Sequence, residues 1–95
     1  MNLLEPLLDD FQYWFEKSRS LLELQELEFL GREYQADLLS RVKQAQQEVS
    51  VAKMLLLATD GQVGVETGVM MPWHQLVAEC WKVGKQFRSE TSSLE

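Results

Sequence analysis

The sequence predicts an all-α protein: an antiparallel three-helix bundle with a long central helix and a glycine-containing loop before the last helix. Three observations predict it. In the middle of the chain, apolar residues recur in alternating steps of four and three at Leu38, Val42, Ala45, Val49, Ala52 and Leu56. That rhythm places them on one narrow stripe of a helix, close to a heptad seam. The stretches before and after it are amphipathic with the same period. Finally, the chain has only two Pro and five Gly, which suits long regular elements better than many turns.

The first helix is expected over residues 4–23. Leu4, Leu7, Leu8, Phe11, Trp14, Phe15, Ser18, Leu21 and Leu22 share one arc, and Glu5, Asp9, Glu16, Arg19, Ser20 and Glu23 share the other. Two starts fit: a capping box from Asn2 to Glu5, or Pro6 as a first-turn residue. Ser18 lies within the apolar arc, where its hydroxyl can bond back to the carbonyl of Trp14. Phe11, Trp14 and Phe15 read as core at helical spacing rather than as an aromatic binding patch. Tyr13 points to the opposite side and is a partner-contact candidate. Leu24, Leu27, Phe29 and Leu30 make the following connection apolar, which predicts a short turn packed on the bundle. Gly31 either ends that turn or opens the next helix.

The central helix is expected over residues 32–59, a rod of about 40 Å at roughly 1.5 Å per residue. Two residues of its stripe are Ala, so a partner helix can approach closely. Asp37 and Arg41 have the favourable i,i+4 order for an ion pair. The far end departs from the pattern. Met54, Leu55, Leu56, Leu57 and Ala58 are apolar in succession, so they cover the whole circumference and demand cover on every side.

Residues 60–72, DGQVGVETGVMMP, stop the rod at Asp60 and Gly61. This connection exceeds the usual length of about 4–6 residues, and it carries Val63, Val65, Val69, Met70 and Met71. It is expected to fold back over the apolar end, with a small hairpin of 63–65 against 69–71 as one form. It holds neither GxxxxGKS/T nor GxGxxG, which argues against a phosphate cradle. The last helix is expected from Pro72, a good first-turn residue, to Arg88. Trp73, Leu76, Val77, Cys80, Val83, Gly84 and Phe87 form its apolar face, with Trp81 at the margin. Gly84 is expected to permit close helix contact, and Glu79 and Lys82 to pair at i,i+3. Residues 1–88 then form one helical domain, and the polar residues 89–95 a frayed tail.

Composition narrows the class. With 45% hydrophobic and 25% charged residues, the 95-residue chain reads as a soluble globular domain with a modest core. The net charge is −6. Residues 1–31 carry two basic and seven acidic groups, 32–59 four and three, and 60–95 three and five. No stretch is strongly basic, so nucleic acid is not an expected partner. The acidic amino terminus does not read as a secretory signal, and no apolar run approaches the ~18 residues of a membrane span. One cysteine, Cys80, leaves no internal disulfide and fits a reducing, cytoplasmic setting.

No catalytic, cofactor-binding or metal-binding residues are expected, and the chain is read as not an enzyme. His74 is the only histidine and lies near a helix start, where surface or capping roles are commonest. Cys80 sits about 240° further round at ~100° per residue, so the two cannot chelate one ion. Cys80 in an apolar face reads as buried and inert. Adjacent Asp9 and Asp10 diverge on a helix and do not form an acid–base pair.

The strings PLLDDFQYWF (6–15), VKQAQQEVSVAKMLLLATDGQVGVE (42–66) and PWHQLVAECW (72–81) together resemble a family of small cyanobacterial proteins of unknown function. The resemblance spans most of the chain except the tail. It implies a cyanobacterial cytoplasm, near or at the thylakoid membrane, and supplies no catalytic residues.

The functional expectation is a non-catalytic helical interaction or accessory protein, self-associating as a homodimer or docking to another protein. The outer helices are expected to be too short to cover the central one. Its exposed remainder, with Leu39, Val51, Leu55 and Leu57 beside the seam, would then make the contact, joined by Tyr13, Met70 and Met71. The alternative is peripheral contact with a membrane surface through residues 54–71, disfavoured by the lack of a basic face. A small apolar ligand or pigment between helices, with His74 beside it, is the third reading.

Overall fold

The structure, a computed structural model, describes residues 4–59 and 67–93. Three helices follow in order: α1 (Leu4–Leu24), α2 (Arg32–Ala58) and α3 (Thr67–Ser93). The all-α expectation holds. α2 runs unbroken over 27 residues and buries Leu38, Val42, Ala45, Val49 and Leu56, five of the six stripe residues. Ala52 packs against the same core partly buried.

Hydrogen bonds set the helix directions. Lys53 bonds Asp9; Gln12 Nε2 donates to Ser50 Oγ at 3.1 Å; Gln46 Nε2 donates to Glu16 Oε2 at 2.6 Å. Each step up α1 is a step down α2, so the pair is antiparallel. Trp73 Nε1 donates to Glu48 Oε1 at 3.1 Å and Arg41 reaches Glu79, which makes α2 and α3 antiparallel too.

The connection from α1 to α2 is stitched by Gln35. Its Nε2 donates to the carbonyls of Leu22 (2.9 Å) and Gln25 (2.6 Å), and its Oε1 accepts from Leu27 N (2.9 Å). A side chain of α2 thereby satisfies carbonyls that the end of α1 leaves orphaned. Leu27 is buried, with Phe29 and Leu30 packed beside it, as expected of a packed turn. Leu24 departs from that expectation: it is 79% exposed, because the chain leaves the helix there and turns it outward. Gly31 opens α2 at φ 83°, ψ 151°, a region that is essentially glycine-only.

The last helix differs most from expectation. It begins at Thr67, not Pro72, and runs to Ser93, not Arg88. No Pro or Gly interrupts the chain after Gly84, so nothing local stops it. At 27 residues α3 is as long as α2, and α1 has 21. The idea that the last helix is too short to cover the central one therefore falls. Val69, Met70 and Met71 are helical, which removes the second arm of the suggested hairpin. Residues 60–66, with the first arm and the suggested lid, lie outside the described residues.

Candidate functional site

Two surfaces stand out. The first is the far end of α2. Leu56 is buried there, but Met54 is 67%, Leu55 51% and Leu57 57% exposed. Val51, Met54, Leu55 and Ala58 follow at steps of 3, 1 and 3, which is the spacing of a second apolar stripe. α2 thus carries an inner stripe in the core and an outer one facing away from it. The Trp73–Glu48 bond brings the start of α3 to this end of the bundle, and Met71 is exposed there. Of the other partner-contact candidates, Val51 and Tyr13 are exposed. Leu39 and Met70 are half-buried and pack on the core, so most of their apolar surface is already covered.

The second surface is a furrow of about 820 Å³ between α1 and α3. From α1 it takes Trp14, Lys17, Ser18 and Leu21; from α3 it takes Cys80, Trp81, Gly84, Phe87 and Arg88. Trp14 and Trp81 meet edge to face at 5.4 Å between centroids, and Phe11 meets Trp73 similarly at 5.5 Å. Bulky rings standing between the two helices keep their backbones apart. Gly84 was expected to draw a helix close. Instead it faces open space: an added Cβ would meet only Arg88 Nη1, at 3.6 Å. Reading the sequence placed Trp81 only at the margin of a core face and missed the furrow. The signal was present as Trp81, Gly84 and Arg88 on one side of α3.

Cys80 is buried, and burial is the main cause that pushes its thiol above the usual range, with the Ser18 hydroxyl opposing it. Such a thiol is a poor nucleophile. Ser18 Oγ donates to the Trp14 carbonyl at 2.8 Å, the back-bond expected of it. His74 is exposed and lies edge-on to Phe11 at 4.9 Å. Among the described residues no three metal-ligating side chains gather at one place.

One polar cluster joins α2 to α3. Arg41 holds Glu79 with two bonds, Nη1 to Oε1 at 3.0 Å and Nη2 to Oε2 at 2.7 Å, and its Nε donates to Asp37 at 2.8 Å. The Tyr34 hydroxyl also bonds Glu79. The expected Asp37–Arg41 pair is therefore present. Glu79, expected to pair with Lys82, turns to Arg41 instead, because a bidentate guanidinium fits a carboxylate better than an ammonium. The Arg41 bond holds the Glu79 carboxyl below its ordinary range. The Glu79 bond raises Tyr34. With every oxygen of Glu79 occupied, the cluster reads as a clamp between helices rather than a reacting site.

The fold and these surfaces define a small three-helix protein with apolar faces left open on the outside of its bundle. The chain belongs to the family DUF2605, described as proteins of unknown function, whose model matches residues 1–89. No curated protein and no solved structure matches it. No described helix is long and apolar enough to cross a membrane.

Proposed function

We propose that the protein is a non-catalytic helical interaction protein that associates with a second copy of itself through the outer stripe of α2. The observation that carries this reading is the exposure of Met54, Leu55 and Leu57 beside the buried Leu56. A helix apolar on two opposite sides is suited to lie between two packing partners, and among the described residues the bundle supplies only the inner one. An outer stripe at steps of three and four matches the face that one helix offers another. Docking of the same stripe to a different protein, as an accessory subunit, is the next reading. The setting we propose is the cyanobacterial cytoplasm that the resemblance implies, with any thylakoid association peripheral.

Sedimentation velocity tests it. The wild-type chain is expected to dimerise with rising concentration, and Leu55→Glu with Leu57→Glu to stay monomeric with an unchanged helical spectrum. A wild-type chain that remains monomeric throughout would rule out self-association. Contact of residues 54–71 with a bilayer is the alternative. Against it stand the net charge of −6 and the absence of any Lys or Arg within 54–71, and Lys53, the cation just before that stretch, is paired with Asp9. Flotation with anionic vesicles separates the two readings.

A further inference from the structure

The furrow between α1 and α3 is separate from the end of α2, and its chemistry is different. Its walls are aromatic and aliphatic, and its rim carries two cations, Lys17 and Arg88. The other cations of α1 and α2 are all matched: Arg19, Arg32, Arg41, Lys43 and Lys53 each lie in an ion pair. Among the described residues no carboxylate pairs with Lys17 or Arg88. Lys17 instead lies over the rings of Tyr13 and Trp14, at 5.2 and 5.9 Å from their centroids. Glu16 also borders the furrow, but its carboxylate accepts from Gln46 on α2. In a chain of net charge −6, these two cations beside an apolar hollow are a local reversal of sign.

The geometry points to a binding site for an amphipathic organic anion, with its apolar body between Trp14, Trp81 and Phe87 and its charged head at Lys17 and Arg88. Size favours a small molecule over a helix. The walls span residues 13–21 and 80–88, about 12 Å at roughly 1.5 Å per residue. That is little more than two turns, a short seam for a partner helix. The volume of about 820 Å³ falls within the range of ligand clefts, roughly 300–1,000 Å³. The depth comes from Gly84, where any side chain would occupy the hollow. Arg88 can grip a carboxylate, sulfonate or phosphate with two parallel bonds, and Lys17 adds a point charge.

Two fluorescent probes that share an apolar body test the site. One is 8-anilinonaphthalene-1-sulfonate, and the other is N-phenyl-1-naphthylamine, the same body without the anion. The wild-type chain is expected to bind one equivalent of the sulfonate saturably. Gly84→Leu fills the hollow and is expected to abolish binding of both probes. Lys17→Gln with Arg88→Gln is expected to weaken the sulfonate by about tenfold, as two solvent-facing charge contacts would, and to leave the amine unchanged. Leu55→Glu with Leu57→Glu should bind both as the wild type does, so a failure here is distinct from a failure of the α2 contact. Absence of saturable binding in the wild type overturns the proposal. So does an undiminished sulfonate affinity in Lys17→Gln with Arg88→Gln, or loss of binding in the α2 variant. If Gly84→Leu fails to fold, probe-induced amide shifts in the wild type decide: shifts centred on Gly84 and Trp81 support the site, and shifts centred on Leu55 overturn it.

Discussion

The two seams of α1 are built differently. Toward α2, its backbone runs close along much of its length, and polar side chains cross the edge about once per turn, at Asp9, Gln12 and Glu16. Toward α3, rings stand between the helices: Phe11 on Trp73, and Trp14 on Trp81. α3 approaches the other two only locally. Close backbones leave no room beside them, whereas aromatic spacers leave a furrow wherever the spacer is missing, as at Gly84. A three-helix protein of this size thus acquires a cleft between α1 and α3.

Substitutions can break that contrast at several strengths. The largest effect is expected at Phe15, which is fully buried and stacks near Phe11. Phe15→Ala should cost about 3–5 kcal/mol, a large share of a domain stability of roughly 5–15 kcal/mol, read as a lower urea midpoint. Next comes Ala45, which is buried and borders the same recess as Trp73 and Leu76. A helix does approach α2 closely, as the alanines of its stripe predict, but that helix is α1, and α3 meets α2 only locally. Ala45→Leu should overpack that side and cost about 1–3 kcal/mol, while an equal change at exposed Ala58 should cost little.

The Arg41–Glu79 clamp sharpens the contrast by holding α3 where the backbones are apart. Because both groups are partly exposed, Arg41→Ala should cost only about 1 kcal/mol. The pH dependence follows from the shifts. The Glu79 carboxyl is lowered, mainly by its bond from Arg41. Its contribution is therefore whole above the ordinary carboxyl value of 4.5 and disappears as pH falls through the lowered folded value. Tyr34 is raised, mainly by its bond to Glu79. That contribution is whole below 10.0 and disappears as pH rises through the raised folded value. Thermal melts across pH should show both limbs, and Glu79→Gln should flatten the acid one. The smallest effect is expected at Gly84→Ala. An added methyl meets only Arg88 Nη1 at 3.6 Å and improves helix propensity, so stability should rise by about 0.5–1 kcal/mol.

What could be read from the residues was what depends on near neighbours. The spacing of Leu38, Val42, Ala45, Val49 and Leu56 gave the buried side of α2, and the Ser18–Trp14 and Asp37–Arg41 bonds follow from one-turn separations. Features between distant residues escaped. Glu79 has Lys82 three positions away, yet it bonds Arg41 across 38 positions, a choice fixed only by how α2 and α3 align. Gly84 reads equally well as a close contact or a hollow until the opposite wall is known. Pro72 carries a real start signal, but Thr67 through Met71 adopt helix ahead of it, so the local rule misplaced the boundary. The exposed end of α2 was legible as a surplus of apolar residues, because no helix can bury five in succession against one neighbour.

Pro72 lies inside α3 and has no amide hydrogen to offer the carbonyl of Gly68. The opening turn of the helix is therefore tied to the remainder by one bond fewer than a turn in the interior of the helix. Deuterium should enter the amides of 68–71 well ahead of those in 76–83, since the first amides of a helix have no acceptor within it and Pro72 removes a further bond. Met71 rides on this segment, so an exposed methionine of α3 is mounted on a turn held by fewer backbone bonds than the interior of the helix.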